Sequence, residues 1–152
     1  DGGTVLVVED MANVRKLMVD TLESMGYRTL QAENGLVAQE ILAAALAGGT
    51  PRIDAVLSDV VMPGGVSGLD LAHWIEDHAP EIAIVLMSGY DDGQQSATEQ
   101  PLSSNRRPIT RIGKPPSPLQ ISGALREARA TCAQWRRARE AASRTTALVP
   151  AK

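Results

Sequence analysis

The chain has 152 residues, 43% hydrophobic and 22% charged, with 15 Lys/Arg against 18 Asp/Glu for a net charge of -3. That length suits one domain with an appendage, and the balance excludes wholesale disorder. A lone Cys132 excludes a disulfide framework and a cysteine-based zinc site; no apolar run approaches the roughly 20 residues of a membrane span and no signal pattern opens the chain, so a soluble, cytoplasmic protein is expected.

Phe is absent and the aromatics are Tyr27, Trp74, Tyr90 and Trp135, so the core has to be aliphatic. The first residue is Asp1 rather than Met, which fits a processed product or an excised piece. The mild overall charge hides a split: residues 1–125 hold 8 Lys/Arg and 16 Asp/Glu, a net of -8, while residues 126–152 hold 7 and 2, a net of +5. An acidic globule carrying a basic tail is expected, with residues 1–130 as the domain and residues 131–152 as a basic helical extension and flexible end.

In chain order, residues 4–8 form a β-branched run fit for a strand buried on both faces. Val14, Leu17, Met18, Leu22 and Met25 then recur at helical spacing, and Gly26 stops that helix. Residues 27–32 make a more polar strand, suited to a sheet edge. Asn34-Gly35 opens a helix whose Val37, Ala38, Ile41, Leu42 and Ala45 face the core. Residues 53–58 read as a third strand, and Gly68 opens a helix carrying Leu71, Ala72 and Ile75 that stops before Pro80. Residues 82–87 and 109–112 read as the fourth and fifth strands. Between them, residues 91–108 are rich in Gln, Ser, Asp and Arg and carry Pro101, so only a short or irregular helix inside a mobile loop is expected. Ser117-Pro118-Leu119-Gln120 then supplies an N-cap, a first-turn proline and a capping-box Gln, followed by Ile121, Leu125, Ala128, Cys132 and Trp135 on one stripe. Alternating β and α segments of this kind give an α/β fold with a parallel sheet covered on both faces.

In such a sheet, functional groups collect beyond the carboxyl ends of the strands. Those ends carry Glu9-Asp10, Asp59, Ser88-Gly89 and Lys114-Pro115. Three carboxylates on one rim repel each other by about 3–4 kcal/mol per pair at 4–5 Å and an effective dielectric near 20. They must raise a pKa or bind a cation, and oxygen-only ligands without His or Cys suit Mg²⁺. Lys114 offers a point charge for a phosphoryl group, Ser88 a hydrogen-bond donor, and an Asp beside both can act as the nucleophile that forms an acyl phosphate.

Val5-Leu6-Val7-Val8-Glu9-Asp10, Val56-Leu57-Ser58-Asp59-Val60-Val61-Met62-Pro63, Val85-Leu86-Met87-Ser88-Gly89-Tyr90 and Gly113-Lys114-Pro115 together resemble the receiver domain of two-component response regulators, over about residues 3–130. Each motif alone is weak, but four in order at strand ends are specific. The resemblance implies a flavodoxin-like, doubly wound (βα)5 fold with five parallel strands in the order 2-1-3-4-5. It implies Asp59 as phosphoacceptor, with Mg²⁺ on Asp10, Asp59, the backbone carbonyl of Val61 and, through water, Glu9. Ser88 and Lys114 bind the phosphoryl group, and the peptide before Pro115 is cis. The partner implied is a histidine kinase or histidine phosphotransfer domain, and the only activity is self-catalysed aspartyl phosphorylation and dephosphorylation. Histidine kinase activity belongs to the chain only if it is a fragment of a hybrid kinase.

Two departures qualify the resemblance. Arg111 stands where the family usually has a switch Tyr or Phe, and an Arg is costlier to bury than a ring, so Tyr90 is the candidate to cover the site instead. The loop Pro63-Gly64-Gly65-Val66-Ser67-Gly68 is one residue longer than the commonest form. Both features are similar to receivers of hybrid sensor kinases. If Val61 and Tyr90 flank the acyl phosphate, they hinder attacking water and dephosphorylation is slow.

Simpler readings weigh against several residues. His73 and His78 have no metal-ligand partner and read as solvated, Cys132 as a small apolar filler, and Gly64-Gly65 as a tight turn rather than a phosphate loop. Arg126, Arg129, Arg136, Arg137 and Arg139 have one interleaved aromatic, so no direct nucleic-acid binding is expected. The stripe through Trp135 fits packing on the domain, a linker helix or self-association through the last helix. The rival functions are a phosphorylation-independent pseudo-receiver acting by protein contact, an aspartyl-phosphate hydrolase, disfavoured because Val61 stands where such sites carry a second Asp, and a flavin binder, disfavoured because no Ser/Thr-rich loop follows the first strand.

Overall fold

A computed structural model describes residues 3–48, 52–62, 64–89, 98–99, 107–114 and 116–148. The elements run β1 (Thr4–Val8), α1 (Ala12–Ser24), β2 (Arg28–Ala32), α2 (Gly35–Leu46), β3 (Ala55–Asp59), α3 (Gly68–His78), β4 (Ala83–Ser88), β5 (Thr98–Glu99), β6 (Ile109–Gly113) and α4 (Pro118–Leu148). The sheet order is β2-β1-β3-β4-β6-β5. Its first five members are parallel, which is the expected 2-1-3-4-5 order with β6 as the fifth strand.

The local sequence accounts for this arrangement. β1 and β3 are buried at every position, as their unbroken apolar runs require in a sheet covered on both faces. β2 leaves Arg28 and Gln31 exposed, in keeping with an edge. Alternate residues feed two cores. Val5, Val7, Leu57, Val85 and Met87 pack with Met18 and Leu22 of α1 and Ile121 and Leu125 of α4. Leu6, Val8, Val56, Ile84 and Leu86 pack with Leu42 of α2 and Leu71 and Ile75 of α3. Each such side chain contributes about 1.5–3 kcal/mol on full burial. No aromatic is among the fully buried residues described; Tyr27 and Trp74 only flank the two cores.

Caps set the helix starts. Ser67 Oγ accepts from the Asp70 amide at 3.0 Å while Asp70 Oδ2 accepts from the Ser67 amide at 3.1 Å. At α4, Ser117 Oγ accepts from the Gln120 amide at 3.2 Å and Gln120 Oε1 accepts from the Ser117 amide at 2.8 Å. Its apolar stripe lies against the sheet as far as Cys132, so the domain's own surface takes up that stretch.

One expectation needs correction. Within residues 91–108, where a short or irregular helix inside a mobile loop is expected, Thr98 and Glu99 instead form a two-residue edge strand antiparallel to β6, pairing with Thr110 and Ile109. The five-stranded (βα)5 description thus gains a sixth strand. The segment lacks the apolar stripe that would seat a helix on the sheet, whereas the open edge of β6 offers backbone partners to any extended pair. The rest of residues 91–106 lies outside the described residues. Among the described residues, no helix is long and apolar enough to cross a membrane.

Candidate phosphoacceptor site

β1, β3 and β6 end side by side or nearly so, and their carboxyl ends bring together residues more than a hundred positions apart. Lys114 Nζ lies 2.9 Å from Asp59 Oδ2 and 3.1 Å from Glu9 Oε1. Its position is set from β4: the Lys114 amide donates to the Ser88 carbonyl at 2.8 Å, continuing the register in which Ser88 faces Gly113. Asp59 closes β3, and the next amide, Val60, donates to the Met87 carbonyl at 3.0 Å.

Glu9 is fully buried, Asp59 is 5% exposed and Asp10 is exposed. One carboxylate oxygen from each lies within 4.8 Å of the others, and among the described residues this is the one group of three or more acidic, His or Cys side chains so arranged. Burial pushes the Glu9 carboxyl above its ordinary value, and Asp59 adds to the effect; the Met11 amide, 3.2 Å from Oε2, and Lys114 pull the other way without cancelling it. Burial works against the Lys114 ammonium, but its bonds to Asp59 and Glu9 outweigh that and hold its pKa above the ordinary lysine value. The three carboxylates with one ammonium form an oxygen-only donor set with excess negative charge, which fits a hard divalent cation such as Mg²⁺.

Ser88 Oγ is buried with no hydrogen-bond partner among the described residues. A hydroxyl left so at the end of β4, where the Ser88 carbonyl holds the Lys114 amide, can serve an entering oxygen-rich group. Val61 follows two residues after Asp59 and is 60% exposed, whereas Met62 turns into the core. Arg111 pairs with Leu86 in the sheet and is half-buried, three residues before Lys114. Tyr90 and Pro115 lie outside the described residues. His73 and His78 stand away from the cluster on α3, with His78 stacked on Trp74 at 4.4 Å between ring centroids.

Two arginines escaped the sequence reading. Arg15 Nη1 donates to the Glu9 carbonyl at 2.8 Å and its Nε to Gln31 Oε1 at 3.2 Å, bracing the β1–β2 end of the rim. A cation in the first turn of a helix is unfavourable to the helix dipole, and that was its only signal. The second, Arg107, is buried away from the rim at the start of β6.

A family model described as the response regulator receiver domain matches residues 5–101, which includes Glu9, Asp10, Asp59 and Ser88 but stops short of Lys114. The chain is 32% identical over 97 residues to the polar-differentiation response regulator DivK of Brucella anthropi, covering 60% of this chain and 73% of that protein. It is 40% identical over 87 residues to the sensor kinase CckA of Brucella abortus, covering 57% of this chain but 9% of the kinase. A cyclic di-GMP phosphodiesterase of Thermotoga maritima is 33% identical over 89 residues, and there the chain spans 22% of the relative's length. The receiver domain of the hybrid histidine kinase CckA superposes with a TM-score of 0.59 at 26% identity, over 84% of this chain and 99% of that one. The signal receiver domain of an HD domain-containing protein from Pseudomonas fluorescens shares the fold at a TM-score of 0.64 and 19% identity, over 88% and 99%. Strand order, motif order and family match agree, and the chain belongs to the response regulator receiver domain family.

Proposed function

We propose that this receiver is a phosphoacceptor, taking a phosphoryl group onto Asp59 from the phosphohistidine of a histidine kinase or histidine phosphotransfer domain. The observation that carries the reading is Lys114 Nζ set between Asp59 Oδ2 at 2.9 Å and Glu9 Oε1 at 3.1 Å, next to Asp10. An Asp59 oxygen attacks phosphorus, the P–N bond to the donor imidazole breaks with its electron pair left on nitrogen, and an acyl phosphate forms. Lys114 offers its charge to the entering oxygens and the unpaired Ser88 hydroxyl offers a hydrogen bond. Asp10, Asp59, the Val61 carbonyl and Glu9 through water are the residues that would hold Mg²⁺, which when bound offsets the negative charge of the incoming group.

The surroundings suit a docked donor. Met11 at 52% and Leu119 at 83% exposure present apolar side chains next in sequence to the site's Asp10 and the loop after Lys114. Val61, exposed beside Asp59, gives water an apolar obstacle on its way to the acyl phosphate, and a phosphoprotein lifetime well beyond seconds is the expected result. We assign residues 1–130 to the receiver unit and the later part of α4 to a basic extension. The likeness to hybrid kinase receivers supports a place in a phosphorelay.

The test is direct. Incubated with a small acyl phosphate and Mg²⁺, the protein should gain about 80 Da, the mass of one phosphoryl group, and Asp59→Asn should gain nothing. An unmodified wild type, or equal modification of the variant, would leave a phosphorylation-independent interaction module as the reading.

A further inference from the structure

The connection between β3 and α3 is fixed at its ends and jointed in its middle. At the near end, the Val60 carbonyl accepts from the Gly68 amide at 2.8 Å, and Gly68 packs so closely on the Asp59 carbonyl that a Cβ there would collide with it. The phosphoacceptor's backbone and the first residue of α3 therefore move as one piece. Met62 is anchored in the core beneath α2 and α3. Beyond it, Gly64 and Gly65 adopt φ of +97° and +87°, and a Cβ on either would meet no neighbour within 4 Å. They form a joint with conformational freedom and no packing to restrain it.

The far side of that joint rests on α2. A Cβ added to Gly35 would lie 2.6 Å from Val66 Cγ1 and 2.8 Å from the Val66 carbonyl oxygen. Gly35 is the buried first residue of α2, directly behind its N-cap, where Asn34 Oδ1 accepts from the Val37 amide at 2.8 Å. Val66 thus meets helix backbone through its own carbonyl and its β-branched side chain, whose χ1 is stiff, and Gly35 contributes no side chain that could absorb a displacement.

We propose that the described residues 60–62 and 64–67 carry the phosphorylation state of Asp59 to the first turn of α2, with the Val66–Gly35 contact as the coupling point. The inference rests on the phosphoacceptor reading above. A phosphoryl group at Asp59 brings about one and a half to two negative charges and three acceptor oxygens to the start of this segment. Residues 60–62 adjust to them, the glycine joint turns, and Val66 shifts against Gly35. The responsive surface is then the α2 side of the domain.

Hydrogen exchange read by mass spectrometry, with intact mass measured on the same samples, tests this on the full chain. A small acyl phosphate with Mg²⁺ is the donor: the bond from Asp59 oxygen to phosphorus forms, the donor's acyl P–O bond breaks, and the carboxylate leaves. Wild type that gains one phosphoryl mass should change exchange severalfold at residues 35–38. Val66→Ala should gain the same mass and lose the α2 response; Val66→Thr, which keeps the volume, should retain it. Phosphorylated wild type with unchanged exchange at 35–38 overturns the coupling, as does a full response in folded Val66→Ala. A wild type that gains no mass overturns the phosphoacceptor reading and the coupling with it. The wild-type comparison decides the matter even if a variant fails to fold.

Discussion

Arg107 Nη1 donates to Cys132 Sγ across 3.3 Å, joining the start of β6 to the middle of α4 inside the protein. Arg107 is 4% exposed, and its guanidinium also donates to the carbonyls of Pro80 at 2.9 Å and Ile82 at 3.2 Å. The thiol in turn donates to the Pro80 carbonyl at 2.9 Å. Burial lowers the Arg107 pKa from its ordinary value, with Cys132 and Glu76 acting against that shift. Arg107→Ala removes all three guanidinium donations at once and takes its donor from the buried Ile82 carbonyl, while the Cys132 thiol still serves Pro80. It should cost about 2–4 kcal/mol by chemical denaturation, lowering Tm by roughly 4–16 °C. Cys132→Ala, which deletes one weak donor and little volume, should cost about 1 kcal/mol. Equal stability of Arg107→Ala and wild type would refute the structural role.

Lys114 offsets the charge of Glu9 and Asp59 together. Lys114→Ala should slow acyl-phosphate modification of Asp59 on the order of 100-fold, as for loss of one preorganised donor at a developing charge. Lys114→Arg should recover only part of that rate, since a planar fork cannot occupy the position of a compact ammonium. Stopped-time quenching with intact-mass detection gives the rates; a rate within twofold of wild type for the Ala variant would exclude Lys114 from the chemistry.

The same cluster sets a pH dependence in the metal-free protein. Glu9 has a folded pKa raised above 4.5, so its contribution to stability is present below that value and is lost as pH rises through the folded pKa. Glu9→Gln should therefore raise Tm at neutral pH and flatten the stability profile above pH 4.5. Lys114 has a folded pKa raised above 10.5, so the stability it adds is present below 10.5 and falls away at higher pH. Thermal melts across both windows check the signs, and a Glu9→Gln protein that melts below wild type at pH 7 would reverse the first.

Gly68 is required by packing rather than by backbone angle, because its missing Cβ is where the Asp59 carbonyl lies. Gly68→Ala should destabilise the domain by about 1–3 kcal/mol through overpacking and slow Asp59 modification by displacing the nucleophile. Denaturation midpoints and modification rates measured together distinguish this from a stability effect alone. A variant as stable and as reactive as wild type would contradict the contact.

Much of this architecture was legible in the chain. β1 coincides with its apolar run and β3 and β4 fall within a residue or two of theirs, because a strand buried on both faces leaves an unbroken hydrophobic signature; β6, only partly buried, is still bracketed by Ile109 and Ile112. The carboxyl-end rule points Glu9, Asp10, Asp59, Ser88 and Lys114 to one rim from the chain alone. β5 was not legible, since two residues pairing across a sheet edge leave no periodicity. Arg107 was equally hidden: its burial depends on Ile82 and Cys132, each 25 positions away, and Pro80, 27 away, and nothing local distinguishes it from Arg106. The seat of Val66 on Gly35 is likewise a tertiary fact.

The 31 residues of α4 make it much longer than the sheet it covers. Cys132 is the last core residue on it, and the helix runs about 16 residues further to Leu148, roughly 24 Å at 1.5 Å per residue. A rod held along one end multiplies angle into distance at the other. A bend of one degree just beyond Cys132 moves the far end by about 0.4 Å, so a bend of about 10° there, which leaves Ile121, Leu125 and Ala128 in the core, sweeps the tip through about 4 Å.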